Sequence, residues 1–431
     1  MSRRLTRLAF LGMAGLLAWP TAAKAERISA SSTTIVQGRQ DPRDGTVHTV
    51  VPFLELVSLR ASEVSTPLLT DTAIVVSAWG EAVAYEPRDG KHLLGDVDTA
   101  YIEGSALKRH LHLRLGRQFV FAGTGAAAQL DGLNLQTHLA GGFGVSAFAG
   151  APVKPRFDYA RGNLVFGGRA FWRQGLEREI GASVFQLRDD GRIGRFFAGA
   201  DARFRLLRSL VVAGLANFSI PDERWAELDA AVTWTPHHMV DVTADFRRTA
   251  PDLFLPRYSI FSVFAQQQRD ELGGSFDLRP CRFVELVSDI HLTKTKDEEG
   301  TGSNAGAKAI FRLNNAGWTR FGVEGRRLDG ASEGYLMGRV FARQRLTTTL
   351  TAVLDAQAYQ LKRTVNGENE GINGHKQSYF ASANAVYDYS PAWRVVLTGM
   401  YNANPYVKRG YEGLLKVVYN GGRTTVQEER P

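Results

Sequence analysis

The residues best equipped for chemistry in this chain are its arginines. Lysine occurs 11 times among 52 basic residues, which leaves 41 arginines. Eleven of these, Arg114, Arg169, Arg173, Arg203, Arg205, Arg247, Arg320, Arg326, Arg339, Arg343 and Arg345, alternate with apolar residues instead of sitting in polar loops. A guanidinium stays charged at any relevant pH and offers a planar fork to carboxylates, phosphates and sulfates. Ringed around a pore, arginines favour anions. Paired across neighbouring strands with Asp201, Asp229, Asp241, Asp245, Glu285, Asp289 and Glu324, they would only brace a wall. Both readings stand at the sequence level.

Other candidate chemistry is sparse. "GTGAAA" (123–128) fits G-x-G-x-x-A but opens no helical pattern, so it reads as a glycine-rich turn. "GSNAGAK" (302–308) is one spacer and a terminal Ser/Thr short of a phosphate loop, and reads as a flexible loop entering a strand. Neither H-E-x-x-H nor G-x-S-x-G occurs. His237-His238 are adjacent, so on a strand they face opposite ways; His110 and His112 share a face at a chelating spacing, with no carboxylate close in sequence. The expectation is a protein without catalytic residues, metal or cofactor.

The arginines are positioned by a two-residue period. In "RHLHLRLGRQF" (109–119), Leu111, Leu113 and Leu115 alternate with His110, His112 and Arg114. Successive side chains of a strand point to opposite faces, so the stretch has one apolar and one basic face. The pattern recurs in "NLVFGGRAFWRQ", "RFFAGADARFRLL", "ELDAAVTWTP", "VDVTADFRRT", "FVELVSDIHLTKT", "TRFGVEGRRLD", "YLMGRVFARQRL" and "TTLTAVLDAQAYQL", while helical periodicity is nowhere sustained. Short breaks such as "RDDGR" and "YSPAW" alternate with longer ones at 294–304 and 363–377. These runs approach the 9 to 11 residues a strand needs to cross a membrane at a tilt. Aromatics gather near their ends: Trp79, Tyr85, Trp234, Trp318, Tyr379, Tyr387, Tyr389, Trp393, Tyr401, Tyr411 and Tyr419. Charged faces of this length suit a wet interior and not a dry core. The pattern therefore predicts an all-β fold, a transmembrane antiparallel up-and-down β-barrel of roughly 18–20 strands, with its leucines toward outer-membrane lipid.

The N-terminus supplies an address. Arg3, Arg4 and Arg7, an apolar run from about Leu8 to Ala18, and Ala23-Lys24-Ala25 have the order of a signal peptide cleaved after Ala25. One domain, 26–431, is expected to follow, with 26–46 as a flexible segment or a first strand. Loss of Arg3, Arg4, Arg7 and Lys24 turns 52 basic against 44 acidic residues into 48 against 44, a net charge of +4 and no argument for a nucleic-acid partner. The single Cys281 excludes an intrachain disulfide. Beyond the signal no apolar run reaches 18 residues.

The stretches "RLGRQFVFAGTGAAAQLDGLNLQTHLAGGFGVSAFAGAPV" and "RRTAPDLFLPRYSIFSVFAQQQ" resemble segments of outer-membrane β-barrel proteins of deltaproteobacterial and myxobacterial type. The pattern of Gly116-Arg117-Gln118 followed by Asp131-Gly132 is also similar to that of alginate-export-type porins. The resemblance implies a channel for a hydrophilic anionic polymer, a polysaccharide above all, working with a periplasmic export protein. A general diffusion porin, or a barrel plugged by its own loops and serving as surface anchor or adhesin, are the alternatives. In one departure from many such barrels, which end on an aromatic residue, this chain runs past Tyr419 to "QEERP".

Overall fold

In the computed structural model, residues 25–43, 46–64, 69–83, 93–121, 123, 127–153, 163–189, 191–254, 268–296, 300–314, 318–330, 334–362, 376–404 and 409–424 are described. Residues 1–24 of the proposed signal, Tyr85 and most of the 363–377 break lie outside them. The strands are β1 (Ala25–Arg43), β2 (Thr46–Val50), β3 (Pro52–Val64), β4 (Thr70–Val83), β5 (Leu93–Ala106), β6 (Leu111–Phe121), β7 (Ala127–His138) and β8 (Phe143–Pro152). Then come β9 (Leu164–Gln174), β10 (Arg178–Asp189), β11 (Arg192–Leu207), β12 (Leu210–Ser219), β13 (Arg224–His237), β14 (Val240–Thr249), β15 (Arg269–Cys281) and β16 (Val284–Thr295). The rest are β17 (Gly302–Arg312), β18 (Thr319–Asp329), β19 (Gly334–Arg345), β20 (Leu350–Leu361), β21 (Gln377–Ser390), β22 (Trp393–Ala403) and β23 (Gly410–Thr424).

Each strand pairs antiparallel with its sequence neighbour, and β1 closes the ring against β23 from Arg27↔Thr424 to Arg39↔Glu412. Both β2 and β3 pair with β1, and the register Arg39↔Val50 continues unshifted as Val36↔Phe53, so they are one strand interrupted at Val51. The result is a closed 22-strand antiparallel barrel. Closure satisfies every strand edge, the condition for a sheet to span a bilayer. The expected fold class is the observed one, with more strands than the 18–20 read from the sequence. Segments 26–43 and 46–50 form wall and not a free tail. "GSNAGAK" is likewise strand and not loop: it opens β17, where a side chain at Gly306 would meet the Arg326 guanidinium at 2.7 Å.

Register and exposure identify the two faces. Ile180, Val184, Leu272, Ile290, Leu354 and Leu397 stand on one side, exposed without polar partners. The intervening residues of the same strands carry most of the wall's ion pairs. The apolar side is the outside of the barrel, the charged side its lumen. Leu115 and Phe119 are exposed on the outside while Gln118 and Val120 are buried on the inside, as the alternation in the 109–119 stretch requires. Trp393 packs against Tyr419 (4.7 Å) at one end of the outer wall and Tyr401 against Tyr411 (5.3 Å) at the other, two aromatic girdles. Trp79 departs from the girdle pattern: it shares the parity of Ser77, whose hydroxyl bonds the Ser58 hydroxyl on the lumen side.

The Gly-Arg-Gln and Asp-Gly motifs are one local device. Gly116 lies opposite Gly132, and Arg117 opposite Asp131. Gly116 has φ +126°, a region closed to other residues, and a methyl there would overlap the Ala100 carbonyl oxygen. Gln118, fully buried, donates from Nε2 to the Arg114 and Gly132 carbonyls at 3.1 Å each, and Arg117 forks onto Asp131 at 2.8 and 3.0 Å.

Candidate functional site

By register all eleven predicted arginines face the lumen. Eight are engaged there. Arg114 reaches Glu103 at 2.9 Å, a carboxylate shared with Arg60 at 2.7 Å. Arg169 is held between Asp201 and Glu179, and Arg173 takes the other Glu179 oxygen at 2.7 Å. Arg205 meets Glu177 at 3.0 Å, and Arg247 meets Asp229 at 3.1 Å. Arg326 forks onto Asp289 at 2.8 and 3.0 Å, while Arg339 bridges Asp355 and, at 3.4 Å, Glu324. Arg345 donates to the carbonyls of Thr347 and Thr348 and lies over the Trp318 ring at 3.8 Å. Of the acidic partners proposed from sequence, Asp201, Asp229, Asp289 and Glu324 brace these arginines. Glu285 holds Arg312, Asp241 meets Arg279 at 3.3 Å, and Asp245 meets His291 at 3.2 Å.

Three of the eleven remain. Arg203, Arg320 and Arg343 have no carboxylate within ion-pair distance among the described residues. Arg320 and Arg343 are exposed and directly opposite each other in the β18–β19 register; Arg312 faces Arg320 from β17. Like charges opposite each other on one face repel, and Glu285 offsets only one charge of the three. The cluster is thus a cationic patch open to the lumen. Arg203 and this cluster both lie toward the barrel end where strands are joined by short turns, such as 208–209 and 346–349. The long connections at 153–163, 250–268 and 362–376 join strands at the other end.

At that long-connection end the inner wall is unexpectedly apolar. Val120, Leu130, Phe148, Val165, Phe185 and Phe197 form a buried cluster with Ala226, Ala250 and Leu253. Rings run in file from Phe148 to Phe185 (6.3 Å), Phe197 (6.3 Å) and Phe254 (5.5 Å). Leu253 and Phe254 belong to the 3-10 turn Pro251–Leu253 and its cap, just past β14. The Ala250 amide donates to the Ala226 carbonyl at 2.8 Å and Arg224 pairs with Asp252, so the turn is fastened to the inner wall. Apolar residues on a lumen wall avoid water only when covered, and this turn contributes the cover.

The two histidine pairs singled out in the sequence stand apart from one another. His237 and His238 lie with ring centroids 4.0 Å apart and tilted planes at the β13–β14 turn, and His112 lies 3.8 Å from Glu103. No group of three or more metal-ligating side chains occurs among the described residues. Sequence reasoning passed over Arg60, Glu103, Glu179, Arg312 and Asp355, whose alternation with apolar residues was the available signal.

No protein-family model matches the chain, and no curated protein matches it. Among solved structures it is similar to the translocation pore of the P pilus usher PapC, with 9% identity over 92% of this chain and 99% of that one and a TM-score of 0.53. Acinetobacter baumannii OccAB4 shares 10% identity over 94% of this chain and 100% of that one, at a TM-score of 0.46. The usher likeness is one of fold: a large closed β-barrel.

Proposed function

We propose that the protein is an outer-membrane channel, freed of residues 1–25 on export, that passes hydrophilic anionic solutes. Its principal cargo is a polysaccharide, delivered by a periplasmic export protein. The long connections face outward and the short turns the periplasm, the usual asymmetry of such barrels. The observation that carries the proposal is the unneutralised Arg320–Arg343 pair on the lumen wall, with Arg312 beside it and Arg203 at the same end. Placed at the periplasmic mouth, it draws anions from the compartment that supplies them. The paired arginines keep the wall polar without adding net selectivity.

The first test is the reversal potential of purified protein in planar bilayers under a salt gradient. Anion selectivity is expected, and R320Q/R343Q should move the potential toward the cation side. A cation-selective wild type, or an unchanged variant, would reject the assignment. Loss of surface polysaccharide in a deletion strain, restored by wild type, tests the cargo; normal polysaccharide would leave a general diffusion porin. The apolar inner cluster under Leu253 and Phe254 favours one further reading, a barrel occluded by its own connection and serving as surface anchor or adhesin. Absence of open-channel steps from folded protein would select it.

A further inference from the structure

On the outer wall of β18–β23 the apolar face is hollowed. Two adjoining hollows of ≈ 900 and ≈ 650 Å³ are floored by small side chains, Gly338, Ala356, Ala381 and Gly399, and walled by Val340 and Tyr401. These positions share the outward parity of Leu354 and Leu397. Along β18 the outward residues continue from Val323, which lines the hollow, through Gly325 to Arg327 and Asp329, so a charged rim stands on the same face at the long-connection end. There Asp329 pairs with Arg327 and with Lys362, both more than half exposed. Beside them Gln377 donates to Gln360 at 3.1 Å and accepts from the Tyr379 hydroxyl. Among the described residues, two cations stand against one carboxylate at this rim, on a surface that meets lipid and not lumen.

We propose that this hollow and rim form a binding site for one phosphorylated glycolipid of the outer leaflet, its acyl chains in the Ala/Gly hollow and its phosphate on Arg327 and Lys362. The proposal rests on the outer-membrane placement argued above. A lipid with anionic head and apolar tails matches the vertical order of the site, cations above and bare apolar wall below. A second copy of this chain matches it less well. A two-fold interface sets a patch against itself, so the surplus cations of each copy would approach those of the other. Gly338 and Gly399 have open space where a side chain would begin, so the floor is unfilled by the barrel itself.

The test uses the full chain extracted from membranes, delipidated in dodecyl maltoside and incubated with hexa-acyl lipid A carrying two phosphates or none. Retained lipid is read by native mass spectrometry. Wild type should keep the bisphosphorylated form with about tenfold preference, since basic residues near a charged lipid surface attract anionic head groups. R327Q/K362Q should lose that preference, and Gly338→Leu, which fills the floor, should retain less of both forms. Heat-dependent mobility on gels confirms that each variant is a closed barrel. Equal retention of the two lipids by wild type, or wild-type preference in R327Q/K362Q, would overturn the site, as would a lipid-free dimer that buries the hollow. Recovery of the protein in the soluble fraction would instead remove the placement, and with it the channel reading.

Discussion

A methyl group at position 116 has nowhere to go: it would sit on the Ala100 carbonyl oxygen of β5, in a backbone conformation of φ +126°. Gly116→Ala should destabilise the barrel by about 2–3 kcal/mol, combining left-handed strain with the displaced strand contact. Urea unfolding in detergent micelles checks this, and a variant with wild-type midpoint would show that the turn of the chain there is not constrained. The same residue shows what a single sequence discloses. The Gly-Arg-Gln and Asp-Gly motifs were visible in the chain, but that Gly116 faces Gly132 and Arg117 faces Asp131 depends on the β6–β7 register, which the motifs do not contain. The arginines behave alike. Their common face was readable from alternation, because parity is local. Which of them would be neutralised was not, because Arg169 finds Asp201 two strands away, past Gly181.

At the scale of elements, alternation located strands wherever one face was apolar and the other charged. It failed where both faces carried similar residues. In β12, "LVVAGLANFS", Val211, Ala213 and Leu215 lie on lumen parity with Arg205, Arg203 and Asp201, so the strand has no polar stripe to read. In β17 the small residues of "GSNAGAK" resemble a loop because their partners, among them Arg326, supply the bulk from the next strand. The turn after β14 was hidden for another reason. "TAPDLFL" has the composition of an ordinary surface connection, and only the file of Phe148, Phe185 and Phe197 on the inner wall gives Leu253 and Phe254 a place to dock. Truncating Phe254 to alanine removes a half-buried ring from that file, at a cost of about 1.5 kcal/mol, half that of a fully buried phenylalanine. Such a loss moves the docked-to-undocked ratio of the turn by about tenfold. If the docked turn narrows the channel, single-channel conductance of Phe254→Ala should rise and current noise increase, with ion selectivity unchanged because the Arg320–Arg343 patch lies at the opposite end. Unaltered conductance would show that the narrowest point is elsewhere.

For the whole molecule, closure is the property on which the others depend. An open sheet of this length would present two unpaired edges, which in a bilayer cannot be hydrated. The chain avoids them by pairing its first strand with its last, β1 with β23, in an unshifted register from Arg27 to Arg39. Nothing in the composition of β1 announces this. "RISASSTTIVQGRQ" is a polar strand with little alternation, and only the even strand number required of an up-and-down barrel with both ends on one side argues for it. The pairing is open to direct proof because Cys281 is the one native thiol and lies on β15, away from the seam. Val36 and Leu415 are opposite each other across the β1–β23 seam. Opposed residues of antiparallel strands have Cα atoms about 4.5–5.5 Å apart, within the span of a disulfide. Val36→Cys/Leu415→Cys in a Cys281→Ser background should therefore oxidise to an intramolecular crosslink only in folded protein, and the crosslinked barrel should resist urea further than its reduced form. A neighbouring pair out of register by two, Val36→Cys with Gly413→Cys, should crosslink more slowly. Equal rates for the two pairs, or no crosslink in either, would mean that the ring is not joined in this register, and an enclosed lumen lined by arginines would lose its physical basis.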